Sequence, residues 1–148
     1  MVDLKIEKFV ENYRQDYVNL ATEFYKTDAV LGEIPVIYIE NTADELLKGS
    51  PYTTCYMAIF CGLTAGYVLL SHTYSQEAGG MALWIEELYI KPQFQGKGIG
   101  KKLLEYVLEN NDYKRVRLEV EKENERACNL YKQYGFDFFA YDQMKLGN

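Results

Sequence analysis

The fold is decided by the stretch Gln95-Gly96-Lys97-Gly98-Ile99-Gly100, which lies between a predicted strand and a predicted helix. The strand is Leu83–Ile90, and the helix runs from about Gly98 to Glu109 with its apolar residues on one face. Glycine at every second position lets backbone N–H groups converge, and a helix N-terminus adds unpaired donors and positive potential. We therefore predict a phosphate or pyrophosphate site at this turn.

The charge of the chain is unevenly distributed. Its 148 residues include 16 Lys and Arg against 22 Asp and Glu, which gives a net charge of −6. The segment from Lys91 to Lys102 carries +4, and the other 136 residues together carry −10. A broadly acidic surface repels phosphate backbones, so nucleic acid is not an expected partner, whereas the basic segment suits a single anionic ligand.

Other features of the sequence exclude further classes of protein. No apolar run approaches the roughly 18 residues that span a bilayer, and the N-terminus lacks the apolar core of a secretory signal, so we expect a cytoplasmic protein without a membrane partner. Cys55, Cys61 and Cys128 form no CxxC pair and are predicted to be free thiols. His72 is the only histidine and is predicted to be a strand residue, so no metal site is expected.

The order of elements predicts a single domain over residues 1–148. Strands at first and a strand–helix–strand–helix–strand succession afterwards predict an α/β (α+β) fold, a mixed sheet with helices on both faces. The first helix is expected around Tyr17–Tyr25, and Thr42 with Glu45 forms a capping-box pattern that predicts the start of a second helix. The remaining predicted elements are strands Leu4–Phe9, Cys55–Phe60, Ala65–His72 and Val116–Val120, helix Glu125–Tyr134, and final strands Phe136–Tyr141 and Gln143–Leu146.

Two familiar phosphate loops do not match the glycine-rich turn. A Walker loop requires Ser or Thr after Gly-Lys, but Lys102 stands at that position. The dinucleotide fingerprint requires its third glycine one residue later than Gly100. The pattern that remains is Gln/Arg-x-x-Gly-x-Gly, and a glycine-rich turn beside a solvated lysine face is its structural alternative.

Two further motifs accompany this pattern in a fixed order. IEELYIKP occupies residues 85–92, and NERACNLYKQYGF begins at Asn124, about 24 residues after Gly100. With the glycine turn, they resemble the GNAT superfamily of acetyl-CoA-dependent N-acetyltransferases, closely over about Trp84 to Phe136. The resemblance implies a mostly antiparallel mixed sheet with a central splayed parallel pair, acetyl-CoA as co-substrate without a metal, and it allows a homodimer.

The resemblance also implies which residues bind acetyl-CoA. The family's pattern usually begins with arginine, and Gln95 is an accepted alternative at that position. Strand backbone would hold the thioester and pantetheine, the turn would hold the phosphates, and the last motif would contact the pantetheine arm. These implied contacts are Leu88, Tyr89 and Ile90 on the strand; Gln95, Gly96, Lys97, Gly98, Ile99, Gly100 and Lys101 in the turn; and Asn124 and Ala127 in the last motif.

Two residues are implied to be catalytic. Tyr131 matches the tyrosine that donates a proton to the leaving sulfur in many members, and a phenol with a pKa near 10 is protonated at neutral pH. Glu86 is the candidate base, acting directly or through water, with Glu87 as its alternative. Strand alternation places Glu86 with Trp84 and Glu87 with Ile85, and burial of Glu86 would raise its pKa. Each residue also has a non-catalytic interpretation. Tyr131 would serve only in packing, and Glu86 would pair with a structural cation.

The acceptor side is predicted to be acidic and aromatic. In the family the first two helices and their connection wall the acceptor pocket, and Thr22 to His72 contains six acids against two lysines. We therefore expect direct acetyl transfer in a ternary complex to a primary amine of a small cationic compound. Peptide or protein acetylation and a non-catalytic CoA-binding sensor are the alternatives, and the acids alternatively serve only solubility.

Overall fold

The computed structural model describes residues 3–148 and contains one five-stranded sheet with helices on both faces. The sheet order is β1-β2-β3-β4-β5. The strands are β1 Leu4–Lys8, β2 Thr53–Phe60, β3 Leu63–Ser75, β4 Gly80–Ile90 and β5 Arg115–Leu118. The helices are α1 Arg14–Phe24, α2 Val36–Leu47, α3 Ile99–Glu109 and α4 Glu125–Gln133.

The sheet is antiparallel from β1 to β4, and β5 pairs parallel to β4. Two apolar clusters, one on each face, stabilise it. The first joins α1 and α2 to the sheet and contains Tyr17, Phe24 and Tyr67, while the second joins α3 to the opposite face and contains Leu103 and Val107. The amphipathic pattern of these helices thus positions them as predicted, and the mixed sheet covered on both faces is confirmed.

A β-bulge interrupts β4 at Glu86. Two consecutive residues of β3 pair with Ile85 and Glu87, so Glu86 has no partner opposite it. An extra residue changes the face on which the following side chains lie. Ile85 packs in the α3 cluster, whereas Glu87 contacts Tyr67 on the face that α1 covers. The prediction that Ile85 and Glu87 share one face is therefore wrong.

The parallel pair is splayed beyond this bulge. β5 pairs with β4 only along Ala82–Ile85, where Arg115–Leu118 lies alongside. β4 continues to Ile90 after β5 has ended, so its edge toward β5 is open from Glu86 onward. The opening lies directly before the glycine turn.

Two sequence predictions are wrong, one about the start of α2 and one about strands after α4. α2 begins at Val36 after Pro35 rather than at Thr42, whose hydroxyl donates to the Tyr38 carbonyl at 2.9 Å inside the helix. Residues 136–146 form no strand, and their aromatic rings contact cations of neighbouring elements. The Phe139 ring, for example, lies 5.0 Å from the Arg115 guanidinium. β5 is consequently the last strand of the sheet.

The cysteines and the histidine lie as predicted. All three cysteines are free, with Cys55 and Cys128 buried and Cys61 exposed. His72 lies in β3, and its Nε2 is 2.9 Å from the Thr54 hydroxyl. Over residues 3–148, no helix combines the length and apolarity needed to cross a bilayer, and no three His, Cys, Asp or Glu side chains are grouped to hold a metal ion.

Candidate active site

A cavity of about 420 Å³ lies where β4 and β5 diverge. Its walls come from both faces of the sheet, since Phe24 and Asp28 line it on the α1 side and Ala127 and Tyr131 line it on the α4 side. The open edge of β4 and the residues that follow β5 form the walls between them. A cavity of this form can receive two molecules from opposite faces of the sheet and bring their ends together.

The backbone of the glycine turn provides free donors between the end of β4 and the start of α3. Gly96 and Gly98 have φ values of 77° and 78°, in the left-handed region that glycine adopts without a Cβ penalty. The first backbone bond of α3 joins the Lys102 N–H to the Gly98 carbonyl. The N–H groups of Ile99 to Lys101 therefore have no partner inside the helix, and they suit the oxygens of a pyrophosphate.

Side chains fix this turn to the end of β4. The Gln95 amide donates from Nε2 to the Ile90 carbonyl at 2.9 Å, so Gln95 anchors the turn rather than presenting a charge. The Lys97 ammonium lies 5.9 Å from the centroid of the Phe60 ring, and the Lys101 side chain is exposed on the first turn of α3. The predicted turn residues thus lie together at one helix N-terminus.

The peptide groups of β4 alternate in direction along its open edge. The Lys91 N–H donates to the Ala65 carbonyl at 2.8 Å, and peptide groups of antiparallel strands alternate toward and away from the partner. It follows that the N–H and C=O groups of Tyr89 face β3, while the N–H and C=O groups of Leu88 and Ile90 face the opening. The backbone of Leu88 and the N–H of Ile90 are therefore directed to a ligand in the splay, since the Ile90 carbonyl already accepts from Gln95.

α4 presents the last motif to the cavity. The Asn124 side chain caps this helix, because its Oδ1 accepts from the Ala127 N–H at 3.2 Å, and both residues line the cavity. Tyr131 lies one turn further, packed against Phe136 with ring centroids 5.6 Å apart. Burial raises the pKa of Tyr131 to about 12, so its phenol is a proton donor throughout the neutral range.

The two adjacent glutamates of β4 have different surroundings. Glu86 is exposed and accepts a hydrogen bond from the Ser71 hydroxyl at 2.7 Å, so its predicted burial is wrong. Glu87 is only 8% exposed and accepts from the Tyr67 hydroxyl at 2.6 Å and from the Tyr25 hydroxyl. Burial raises the pKa of Glu87, and the two phenols partly oppose that shift. The environment predicted for Glu86 thus belongs to Glu87.

The cavity lining is acidic, but most of its acids lie outside the segment Thr22 to His72, which was predicted to form the acidic acceptor wall. Of the six acids between Thr22 and His72, Asp28 lines the cavity, whereas Asp44 and Glu45 pair with Arg14 and Lys48 elsewhere. Sequence reasoning missed two acids that follow β5, and their position after the strand beside β4 was the available signal. The acids that line the cavity are Asp28, Glu86, Glu87, Glu119 and Glu121.

Comparisons with known proteins agree with this geometry. The model of the acetyltransferase (GNAT) family matches residues 14–136. The chain is 30% identical over 123 residues to a thialysine N-epsilon-acetyltransferase of Bos taurus, which covers 81% of this chain and 66% of that protein. It is 32% identical over 69 residues to a spermine/spermidine N(1)-acetyltransferase of Bacillus subtilis, with 44% and 45% covered. The chain thus spans two thirds or less of these relatives' lengths.

A solved structure gives the same fold. An aminoglycoside N-acetyltransferase in complex with CoA matches with a TM-score of 0.79 at 15% identity, over 97% of this chain and 94% of that one. The family match extends over most of the chain and includes β4, the glycine turn and α4. The chain therefore belongs to the GNAT family, a family of acyltransferase enzymes.

Proposed function

We propose that this protein transfers the acetyl group of acetyl-CoA to a primary amine of a small cationic compound, by direct attack in a ternary complex. The observation that carries the proposal is the cavity through the splayed sheet. It has walls on the α1 side and on the α4 side of the sheet, and five carboxylates line it. Among the described residues that line it, none is lysine or arginine.

The charges separate the two substrates. Backbone donors of Ile99 to Lys101 and the basic turn suit the phosphates of acetyl-CoA. The carboxylates suit an ammonium group, because opposite charges attract strongly where water is partly excluded. Both relatives described above are named for acetylation of amines, thialysine in one and spermine or spermidine in the other, which supports an amine acceptor here.

Each step of the proposed transfer has a residue at the cavity. Acetyl-CoA supplies an activated thioester when it is bound. The backbone of Leu88 and Ile90 orients the acetyl end, and a carboxylate of β4 accepts one proton from the ammonium so that the amine attacks as a neutral group. The C–N bond forms as the C–S bond breaks. The Tyr131 hydroxyl donates a hydrogen bond to the departing thiolate, and the second amine proton leaves to solvent as the amide forms.

A matched pair of amines tests the acceptor class. 1,5-Diaminopentane carries a second ammonium and pentylamine does not, while their reacting ends are alike. We expect kcat/KM for the diamine to exceed that for pentylamine by about 10- to 150-fold, as one charge-assisted contact contributes about 1.5–3 kcal/mol. Release of free thiol from acetyl-CoA measures both rates. Neutral or anionic amines that react faster than every cation contradict the proposal.

Two variants connect that preference to the cavity. Glu119→Gln and Glu121→Gln together are expected to raise KM for the diamine and to leave KM for pentylamine within about twofold, because each removes charge and keeps shape. Exposed Glu109→Gln at the end of α3 lies outside the cavity lining and is the control. Tight CoA binding without turnover of any amine would favour the sensor, and turnover only of peptide amines would favour the peptide acetyltransferase.

A further inference from the structure

We propose that Glu87, rather than Glu86, takes the proton from the acceptor amine, and that Tyr25 and Tyr67 are positioning residues that hold its carboxylate. This inference rests on the proposed acetyl transfer to an amine. It concerns a buried group that the bulge in β4 turns toward the acceptor side of the sheet. Glu87 also lines the cavity in which the amine would bind.

The carboxylate of Glu87 is held at both oxygens. The hydroxyl of Tyr67, on β3, donates to Oε1 at 2.6 Å, and the hydroxyl of Tyr25, the residue that follows α1, donates to Oε2. Each carboxylate oxygen has capacity for more than one hydrogen bond, so both remain able to accept from an ammonium group. Two fixed donors leave the side chain little rotational freedom, which suits a group that must meet one proton.

The surroundings of Glu87 suit proton transfer better than those of Glu86. Burial raises the pKa of Glu87 and brings it nearer to that of an amine, which makes the transfer less uphill. Glu86 is exposed, and the Ser71 hydroxyl donates to it. The titratable groups that face Glu87 are Tyr17 and Tyr25 from α1 and its end, Cys55 from β2, Tyr67 from β3 and Glu86 from β4.

The phenols have a role that can be separated from packing. Each donates to the ionised carboxylate and so favours the charged form that can accept a proton. A phenylalanine at either position keeps the ring and removes that donor, which raises the pKa of Glu87 further. The rate falls at low pH because the base becomes protonated, and this fall is the acid limb of the pH profile. With a higher pKa of Glu87, the acid limb moves to higher pH.

The test is the pH dependence of kcat/KM for 1,5-diaminopentane, measured with the full chain at saturating acetyl-CoA. Tyr67→Phe and Tyr25→Phe are each expected to move the acid limb upward by about one to two pH units, the effect of one hydrogen bond to a charged group. Tyr17→Phe is the matched control, since this buried phenol lies near Glu87 but is not among its donors in the described part of the chain. The acid limb of Tyr17→Phe is expected at the same pH as that of the wild type.

Two glutamine variants assign the base. Glu87→Gln is expected to lower kcat by about 10²- to 10⁴-fold, the usual contribution of a general base, and to abolish the acid limb. Glu86→Gln is expected to raise KM for the diamine and to keep the acid limb. Loss of the limb in Glu86→Gln with its retention in Glu87→Gln would overturn the assignment. An acid limb that stays in place in both tyrosine variants would overturn the positioning role, whatever the result for Glu87→Gln.

The two levels of the proposal fail differently. If the wild-type chain acetylates no amine, the proposed function is wrong and the assignment of Glu87 falls with it. If the wild-type chain is active and Glu87→Gln retains its rate to within about threefold, only the assignment of Glu87 is wrong. Circular dichroism and Tm of each variant separate a lost base from a lost fold.

Discussion

Tyr131→Phe removes one hydroxyl group from the α4 side of the cavity and leaves the ring in place. The ring packs against Phe136, so the substitution is expected to change the free energy of unfolding little. The hydroxyl is the group proposed to meet the leaving sulfur. Any loss of rate in this variant therefore measures the contact of the phenol with the developing thiolate.

The magnitude follows from the raised pKa of Tyr131. A phenol with a pKa of about 12 is a weaker acid than the thiol of CoA, whose pKa is near 8.5, by roughly 3.5 pKa units. Full proton transfer is thus uphill, and the phenol acts mainly through a hydrogen bond to the thiolate. Such a bond contributes about 1.5–3 kcal/mol, which corresponds to a loss in kcat of about 10- to 150-fold.

Thiol release from acetyl-CoA with a saturating amine measures this loss. Tyr134→Phe is the control, because Tyr134 lies on the same side of the sheet and donates to Glu105 at 2.6 Å, away from the cavity. We expect its kcat to stay within about twofold of wild type. A wild-type kcat in Tyr131→Phe would refute the role of the phenol.

Three further predictions concern stability and binding. Gly98→Ala should raise KM for acetyl-CoA several-fold and cost about 1 kcal/mol of left-handed strain, whereas Gly49→Ala, with φ of 76°, should cost the same in thermal unfolding without changing KM. Glu87→Gln should raise Tm at pH 7.5, and this gain should shrink toward pH 4.5, since a raised carboxyl pKa stabilises the fold only at low pH. Arg117→Ala should lower Tm by about 2–4 °C, because its guanidinium stacks 4.3 Å from Trp84; an unchanged Tm would contradict that stacking contribution.

The parts of the site that lie in local motifs could be predicted from the sequence. The glycine turn and α4 carry their own signals, since left-handed glycines, a helix N-terminus and the Asn124 cap depend on neighbouring residues. The paired acids Glu86 and Glu87 were also visible as candidates. Their geometry was not, because the bulge depends on the register in which β3 pairs with β4. Alternation counted along one strand cannot reveal an extra residue that only pairing defines.

Long-range packing also explains the other differences. Tyr25 and Tyr67 meet at Glu87 from α1 and β3, and nothing in the spacing of these residues indicates that contact. The segment after α4 has the aromatic content of a strand but forms no ladder, and its Phe139 ring contacts Arg115 and Arg117 of β5. In both cases the contacts join residues that are distant in sequence.

The most direct test of the proposed reaction follows the acetyl group itself. The full chain is mixed in a single turnover with acetyl-CoA labelled in its acetyl group and with 1,5-diaminopentane, and the products are measured by mass spectrometry. Direct attack in a ternary complex predicts one labelled acetyl group on the diamine, equimolar free CoA and no label on the protein. Labelled protein formed before the amine product, or unlabelled diamine with intact acetyl-CoA, would contradict it.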